Sequence, residues 1–278
     1  MRTPVLFVSH GSPLALLDQH FSLALRRFGI KLGEPKGIVV ISAHWQAIRP
    51  LRVTGVRQPV MEMDAQEFPA WLRSRRWQCP GSPALASKVV ATLTTGGAPA
   101  LIEMSRGLDD GAWVPLSMIF PQGRVPAVQV SLPMASEPAV LRDIGRALAS
   151  LRREGYLLVA SGGIVHNMSR ARFDVRDVRT EAWAMAFDEW VRGRLDAFDE
   201  EALHRYRAQG PQAHLAAPTS EHIDPLFVAL GARLQGDVVH PVYEGFHAGI
   251  LSLRTFVITG RRREDHQLPP GFRLEVSR

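Results

Sequence analysis

Six short apolar runs constrain this chain more than any other feature: Val5–Val8, Gly37–Ile41, Ala127–Leu132, Tyr156–Ala160, Val238–Val242 and Leu253–Ile258. Most are continuous rather than alternating, the pattern of strands buried on both faces, and all are too short to span a membrane. Helical patterns lie between them. One has Ser136 as N-cap and Pro138 in its first turn, carries Val140, Ile144, Leu148 and Leu151 as an apolar stripe, and stops at Gly155. Another runs from Thr180 to Leu195 with Trp183, Phe187 and Trp190 on its apolar side. Strand and helix in alternation predict an α/β fold, with a mostly parallel central sheet covered by helices on both faces. No repeat, low-complexity tract or linker interrupts the 278 residues, so residues 1–260 read as one domain and 261–278 as a polar C-terminal tail.

Composition narrows the functional classes. With 46% hydrophobic and 22% charged residues the chain lies in the ordinary globular range. The opening Met1–Val8 is too short for a signal segment, and Cys79 is the only cysteine, so the chain reads as cytoplasmic, without an intrachain disulfide or a thiolate zinc site. Any metal must be held by nitrogen and oxygen. The net charge of +6 raises the question of nucleic acid. However, lysine occurs only at 31, 36 and 88, the arginines are scattered, and the one dense run, Arg261–Arg263, is followed at once by Glu264 and Asp265. Neither a nucleic-acid nor a membrane partner is expected.

In open α/β sheets ligands bind beyond the carboxyl ends of the strands, and imidazoles recur there. Val5–Val8 runs into Ser9-His10-Gly11, Gly37–Ile41 into Ser42-Ala43-His44-Trp45, and Tyr156–Ala160 into Ser161-Gly162-Gly163-Ile164-Val165-His166-Asn167. His222 opens a short helix that stops near Gly231. A metal site built from three or more of His10, His44, His166 and His222 follows, because neutral imidazole is the commonest side-chain ligand for zinc, iron and copper. His240 and His247, flanking a late strand, are candidates for a supporting role. A nucleophilic serine competes: Ser9, Ser12, Ser42 and Ser161 neighbour strand ends, but none lies in Gly-x-Ser-x-Gly. Ser161-Gly162-Gly163 matches neither the P-loop nor the dinucleotide fingerprint.

At these segments the chain resembles the class III extradiol ring-cleavage dioxygenases, in the DOPA 4,5-dioxygenase-like branch of the LigB superfamily. The resemblance is carried in order by Ser9–Pro13, Ile41–Trp45, Gly107–Leu116, Ala160–Asn167 and Pro218–His222, and it continues through Pro225–Gly231. It implies a LigB-like single-domain fold, with residues 1–260 as the catalytic domain, and an enzyme that opens a catechol ring beside its two hydroxyls using O2. Fe(II) is the implied cofactor and Zn(II) the alternative. Carried over by position, His10, His44 and His222 resemble metal ligands; His166 resembles the acid/base, close enough to count as a fourth ligand. Ser12, Trp45, Met63 and Asp110 are read as substrate-facing.

General chemistry suits those roles: three protein ligands leave room for a bidentate catechol and O2, and ring opening needs a group that takes up and returns a proton. Because non-haem iron commonly includes a carboxylate ligand, Glu221, Asp109 and Asp110 stay open as substitutes for one histidine. Two departures stand out. The resembled family usually has a His-Asp-Phe segment before Phe-Pro, where this chain has Met63–Pro69, and Asp-His-Gly where it has Asp109-Asp110-Gly111. A zinc hydrolase and a non-enzymatic metal binder on the same scaffold are the alternative functions.

Overall fold

The computed structural model describes residues 2–63, 69–74, 77–173 and 178–260; the tail at 261–278 and residues 64–68 of the departing Met63–Pro69 segment lie outside them. Its strands are β1 (Val5–Ser9), β2 (Gly37–Ala47), β3 (Leu51–Thr54), β4 (Ala100–Glu103), β5 (Ala127–Pro133), β6 (Tyr156–Gly162), β7 (Asp237–Tyr243), β8 (Phe246–His247), β9 (Leu251–Ser252) and β10 (Thr255–Gly260). Eight form one sheet in the order β4-β3-β5-β2-β6-β1-β10-β7, and β8 pairs with β9. The central four, β5, β2, β6 and β1, are parallel, while β10 and β7 extend the sheet antiparallel beyond β1.

The continuous apolar runs are explained by what covers them. Side chains alternate across a strand, so Val5, Phe7, Val39 and Ile41 enter one buried cluster with the helices Pro83–Thr95, Pro138–Arg153, Ala182–Asp196 and Asp224–Gly231. Leu6, Val8, Ile38 and Val40 enter a second with the helices Gln19–Leu32 and Asp110–Ile119. Both faces are thus dry, as the α/β reading requires. At the amino end of the sheet Arg152 is fully buried, donating to the carbonyls of Thr3, Ala232 and Ile258 and to Asp237 Oδ2 at 2.6 Å.

Several boundaries differ from the sequence reading. The helix expected from Ser136 has Glu137 at its N-cap, and the Ser136 hydroxyl turns back toward the Met134 carbonyl. Its buried stripe runs through Leu141, not Val140, and Gly155 follows its end at φ +95°. Leu253–Ile258 is not one strand: Leu253 and Arg254 separate β9 from β10. Among the described residues no helix is long and apolar enough to cross a membrane.

Candidate metal centre

His10 follows the last residue of β1, His166 lies four residues past β6, and His222 sits in the turn before the helix Asp224–Gly231. His44 differs from expectation. Instead of following the strand it lies within β2, which continues to Ala47. There β2 pairs Ile41 with Val130 and then Gln46 with Leu132, so residues 42–45 face the single Ser131 and the strand bulges. The bulge carries His44 toward the other three imidazoles. Ring centroids of His10 lie 4.7 Å from His44 and 5.4 Å from His222, and those of His44 and His222 are 5.2 Å apart.

The hydrogen bonds of the three rings fix which nitrogen carries the proton. The Ser161 hydroxyl donates to the Gly111 carbonyl at 2.5 Å and therefore accepts from His10 Nδ1 at 2.9 Å. His44 Nδ1 lies 2.5 Å from Asp110 Oδ1, and His222 Nδ1 lies 3.3 Å from Glu221 Oε1. A carboxylate only accepts, so both of those Nδ1 atoms carry the proton. All three Nε2 atoms are left with lone pairs. His10 Nε2 is buried with no partner among the described residues, and those of His44 and His222 face each other at 3.2 Å. Two lone pairs at that distance repel unless a cation lies between them, and the spacing suits two nitrogens each about 2.0–2.1 Å from one metal ion. One ligand atom from each of His10, His44 and His222 lies within 4.8 Å of the others. The residues present therefore fit a divalent metal, each of the three rings being oriented by an acceptor on its far nitrogen.

His166 is outside that converging set. Its ring stacks on His222 with centroids 3.5 Å apart and planes 6° apart, and its buried Nδ1 has no partner among the described residues. Burial, followed by the neighbouring His222 and His44, pushes its pKa down to about 2. His10 is held well below the ordinary imidazole range by burial and then by His44, His222 and His166; His222 is lowered chiefly by burial. Neutral rings are the form that binds metal. Exposure rises from buried His10 through half-buried His222 to exposed His44, so the cluster opens toward solvent on the His44 side.

The Asp109-Asp110-Gly111 segment supports two of the three converging rings. Asp109 caps the helix Asp110–Ile119 by accepting from Ala112 N, and its carboxylate also accepts from Ser42 Oγ at 2.8 Å and from Gln129 Nε2. Ser42 Oγ in turn accepts from His44 N at 3.2 Å. Saturated with donors, Asp109 is a brace for the turn. Asp110, expected to face substrate, contacts His44, and the Gly111 carbonyl holds Ser161 against His10. A Cβ at Gly111 would lie 2.3 Å from Ser42 Oγ and 3.3 Å from His10 Cε1. At Gly162 it would lie 2.1 Å from the His222 carbonyl, which accepts from Gly163 N at 2.7 Å.

Of the other expected residues, Ser12 is buried with no partner for its hydroxyl among the described residues, and Trp45 is buried beneath Arg106, 4.9 Å from guanidinium carbon to ring centre. Met63 is half-buried and packs against the second core cluster. His247 packs on Phe173, and neither it nor His240 belongs to the converging set. Ser161, weighed as a nucleophile, spends its proton on Gly111, so His10 is not its base. The bracing of the turn by Gln129 had no sequence signal, since it depends on contacts distant along the chain.

The family model described as the catalytic LigB subunit of aromatic ring-opening dioxygenase matches residues 5–251. The chain belongs to that family, and with it to the extradiol dioxygenases. Among individual relatives, it is 33% identical over 259 residues to the 4,5-DOPA dioxygenase extradiol of Beta vulgaris, covering 91% of this chain and 95% of that one. It is 34% identical to the protein of the same name from Escherichia coli K12, covering 91% and 93%. A crystal structure of an uncharacterized Escherichia coli K12 protein superposes with a TM-score of 0.77 at 32% identity, covering 93% of this chain and all of that one.

Proposed function

We propose that this enzyme binds Fe(II) through His10, His44 and His222 and opens a catechol ring beside its two hydroxyls, with His166 as acid/base. The convergence of three Nε2 lone pairs, each ring held by an acceptor on Nδ1, carries the reading. Bound there, Fe(II) would supply the coordination sites for both catechol oxygens and O2, together with the Lewis acidity that eases loss of the catechol protons. The protein's part is to orient and to move a proton. His166 enters neutral, and the negative charge developing on the substrate raises its basicity from the depressed value of the free site. Its unpartnered Nδ1 takes the catechol proton and returns it during cleavage. Ser12 offers a hydroxyl to the substrate, while Trp45 and Met63 supply apolar surface. Asp110, though turned to His44, keeps part of its side chain exposed and presents negative charge to whatever binds beside it.

A small aromatic is the substrate class, in keeping with the aromatic ring-opening dioxygenase family model that the chain matches. A single buried thiol at Cys79 suits a cytoplasmic, reducing compartment. The test is anaerobic loading with Fe(II), addition of a catechol panel and then air, followed by absorbance of the ring-opened product. Turnover by the Fe(II) form and none by the Zn(II) form is expected. Ester or amide hydrolysis by the Zn(II) form without ring opening would replace this reading with the hydrolase.

A further inference from the structure

We propose that Asp110 is a positioning residue of the metal centre: its carboxylate fixes the ring plane and tautomer of His44 and places a negative charge next to that ligand. The inference rests on His44 being a metal ligand, as proposed above.

The geometry is specific. Asp110 is the first residue of the helix Asp110–Ile119, and its Oδ1 lies 2.5 Å from His44 Nδ1 across 66 residues of sequence. The two backbones are held in that relation independently of the pair itself. Asp109 Oδ1 accepts from Ser42 Oγ, and Ser42 Oγ accepts from the main-chain nitrogen of His44. One carboxylate of the Asp-Asp pair therefore sets the position of the strand, and the other sets the ring. His44 is the most exposed of the three rings and lies on the bulge of β2, where the Asp110 carboxylate fixes its orientation. Freed from Asp110, the imidazole would exchange tautomers and sample rotamers in which Nε2 points away from His10 and His222.

Charge matters besides orientation. Three neutral imidazoles leave a divalent cation uncompensated. The carboxyl groups of Asp110 behind His44 and of Glu221 behind His222 stand on the far side of two of the proposed ligands. The carboxylate commonly found as a direct ligand of non-haem iron is here displaced outward by one imidazole, and a ring hydrogen-bonded to a carboxylate is the more basic donor.

The test measures Zn(II) affinity by chelator competition on the full chain, for wild type, Asp110→Asn, Asp110→Ala and His44→Ala, with thermal unfolding of each metal-free form. Asp110→Ala is expected to weaken Zn(II) binding about 10–100-fold, and Asp110→Asn, which keeps an acceptor and the shape but loses the charge, by about tenfold. Affinity within about twofold of wild type in both Asp110 variants, with His44→Ala losing zinc, would overturn the inference while leaving the ligand assignment intact. A lower melting temperature of the metal-free Asp110 variants with unchanged affinity would also overturn it, since that is what loss of a favourable charge at the helix N-terminus produces. Zinc retained by His44→Ala would overturn both. If Asp110→Ala does not fold, Asp110→Asn decides.

Discussion

The Ser161 hydroxyl accepts from His10 Nδ1 at 2.9 Å while donating to the Gly111 carbonyl at 2.5 Å, so a side chain at the end of β6 sets the tautomer of an imidazole at the end of β1. Ser161→Ala removes the acceptor and leaves a buried N–H and a buried carbonyl unpaired. We expect metal affinity to fall about 10–100-fold and the metal-free protein to lose about 1–3 kcal/mol of stability. Chelator competition and denaturant unfolding measure the two; unchanged affinity would show that His10 needs no orienting partner.

The four histidines should divide into two classes. His10→Ala, His44→Ala and His222→Ala are each expected to lose bound metal, whereas His166→Ala keeps it and loses turnover by about 10²–10⁴. Metal content measured alongside single-turnover rates separates the classes. A His166→Ala enzyme that loses its metal would make His166 a ligand.

Gly111 is the point at which the helix start, the Ser42 hydroxyl and the His10 ring approach most closely. Gly111→Ala places a methyl 2.3 Å from Ser42 Oγ, and the strain of such overpacking costs about 1–3 kcal/mol. Because the displaced groups orient His44 and His10, metal affinity should fall with stability. A variant with wild-type zinc affinity would show that the turn can yield without moving either ring.

Alkaline pH should weaken the fold through groups that burial keeps protonated. Cys79, Tyr206 and Tyr243 are each pushed up to about 12, chiefly by burial. The unfolded chain releases these protons first, from about pH 8.5 for the thiol and about pH 10 for the phenols. Their contribution is thus complete below that range and is lost as pH rises toward 12. Melting temperature against pH between 8 and 12 follows this, and Cys79 should resist a thiol reagent in the native protein at pH 8. Rapid native modification at that pH would contradict the burial.

Arg152 tests the far end of the sheet. Removing a fully buried guanidinium that joins Asp237 to three carbonyls strands a buried carboxylate, so Arg152→Ala is expected to cost about 3–5 kcal/mol in urea unfolding without changing metal affinity. A loss below about 1 kcal/mol would mean that Asp237 is adequately served by Arg2, 2.8 Å away.

The legible part of this fold was the part buried on both faces. Val5–Val8 and Tyr156–Ala160 announce themselves because helices cover each side of them. Leu51–Thr54 does not, since Arg52 interrupts a run of only four residues, and neither does Ala100–Glu103, an edge strand whose Leu101 and Ile102 are exposed. Three of the imidazoles, His10, His44 and His166, were visible because each follows an apolar run and stands beside small residues, although β2 itself runs on past His44. Which group orients each of them was not: Asp110 meets His44, and Ser161 meets His10, only once distant segments are folded together. Asp110 looked like a departure at a substrate-facing position, and nothing in its immediate sequence distinguishes that from a carboxylate turned onto a ligand.

The bulge in β2 carries a kinetic consequence. His44 is anchored on one side where Ser42 pairs with Ser161 on β6, and on the other where Gln46 pairs with Leu132 on β5. A ligand on a free loop can leave as the loop swings out, exchanging its ion on the timescale of segmental motion. Here the backbone on both sides of His44 is paired into the sheet, so that donor would let go by rotation of its ring and not by a swing of its backbone. His44 would then remain within recapture distance, and an ion bound at the proposed centre should leave more slowly than the exposure of His44 suggests.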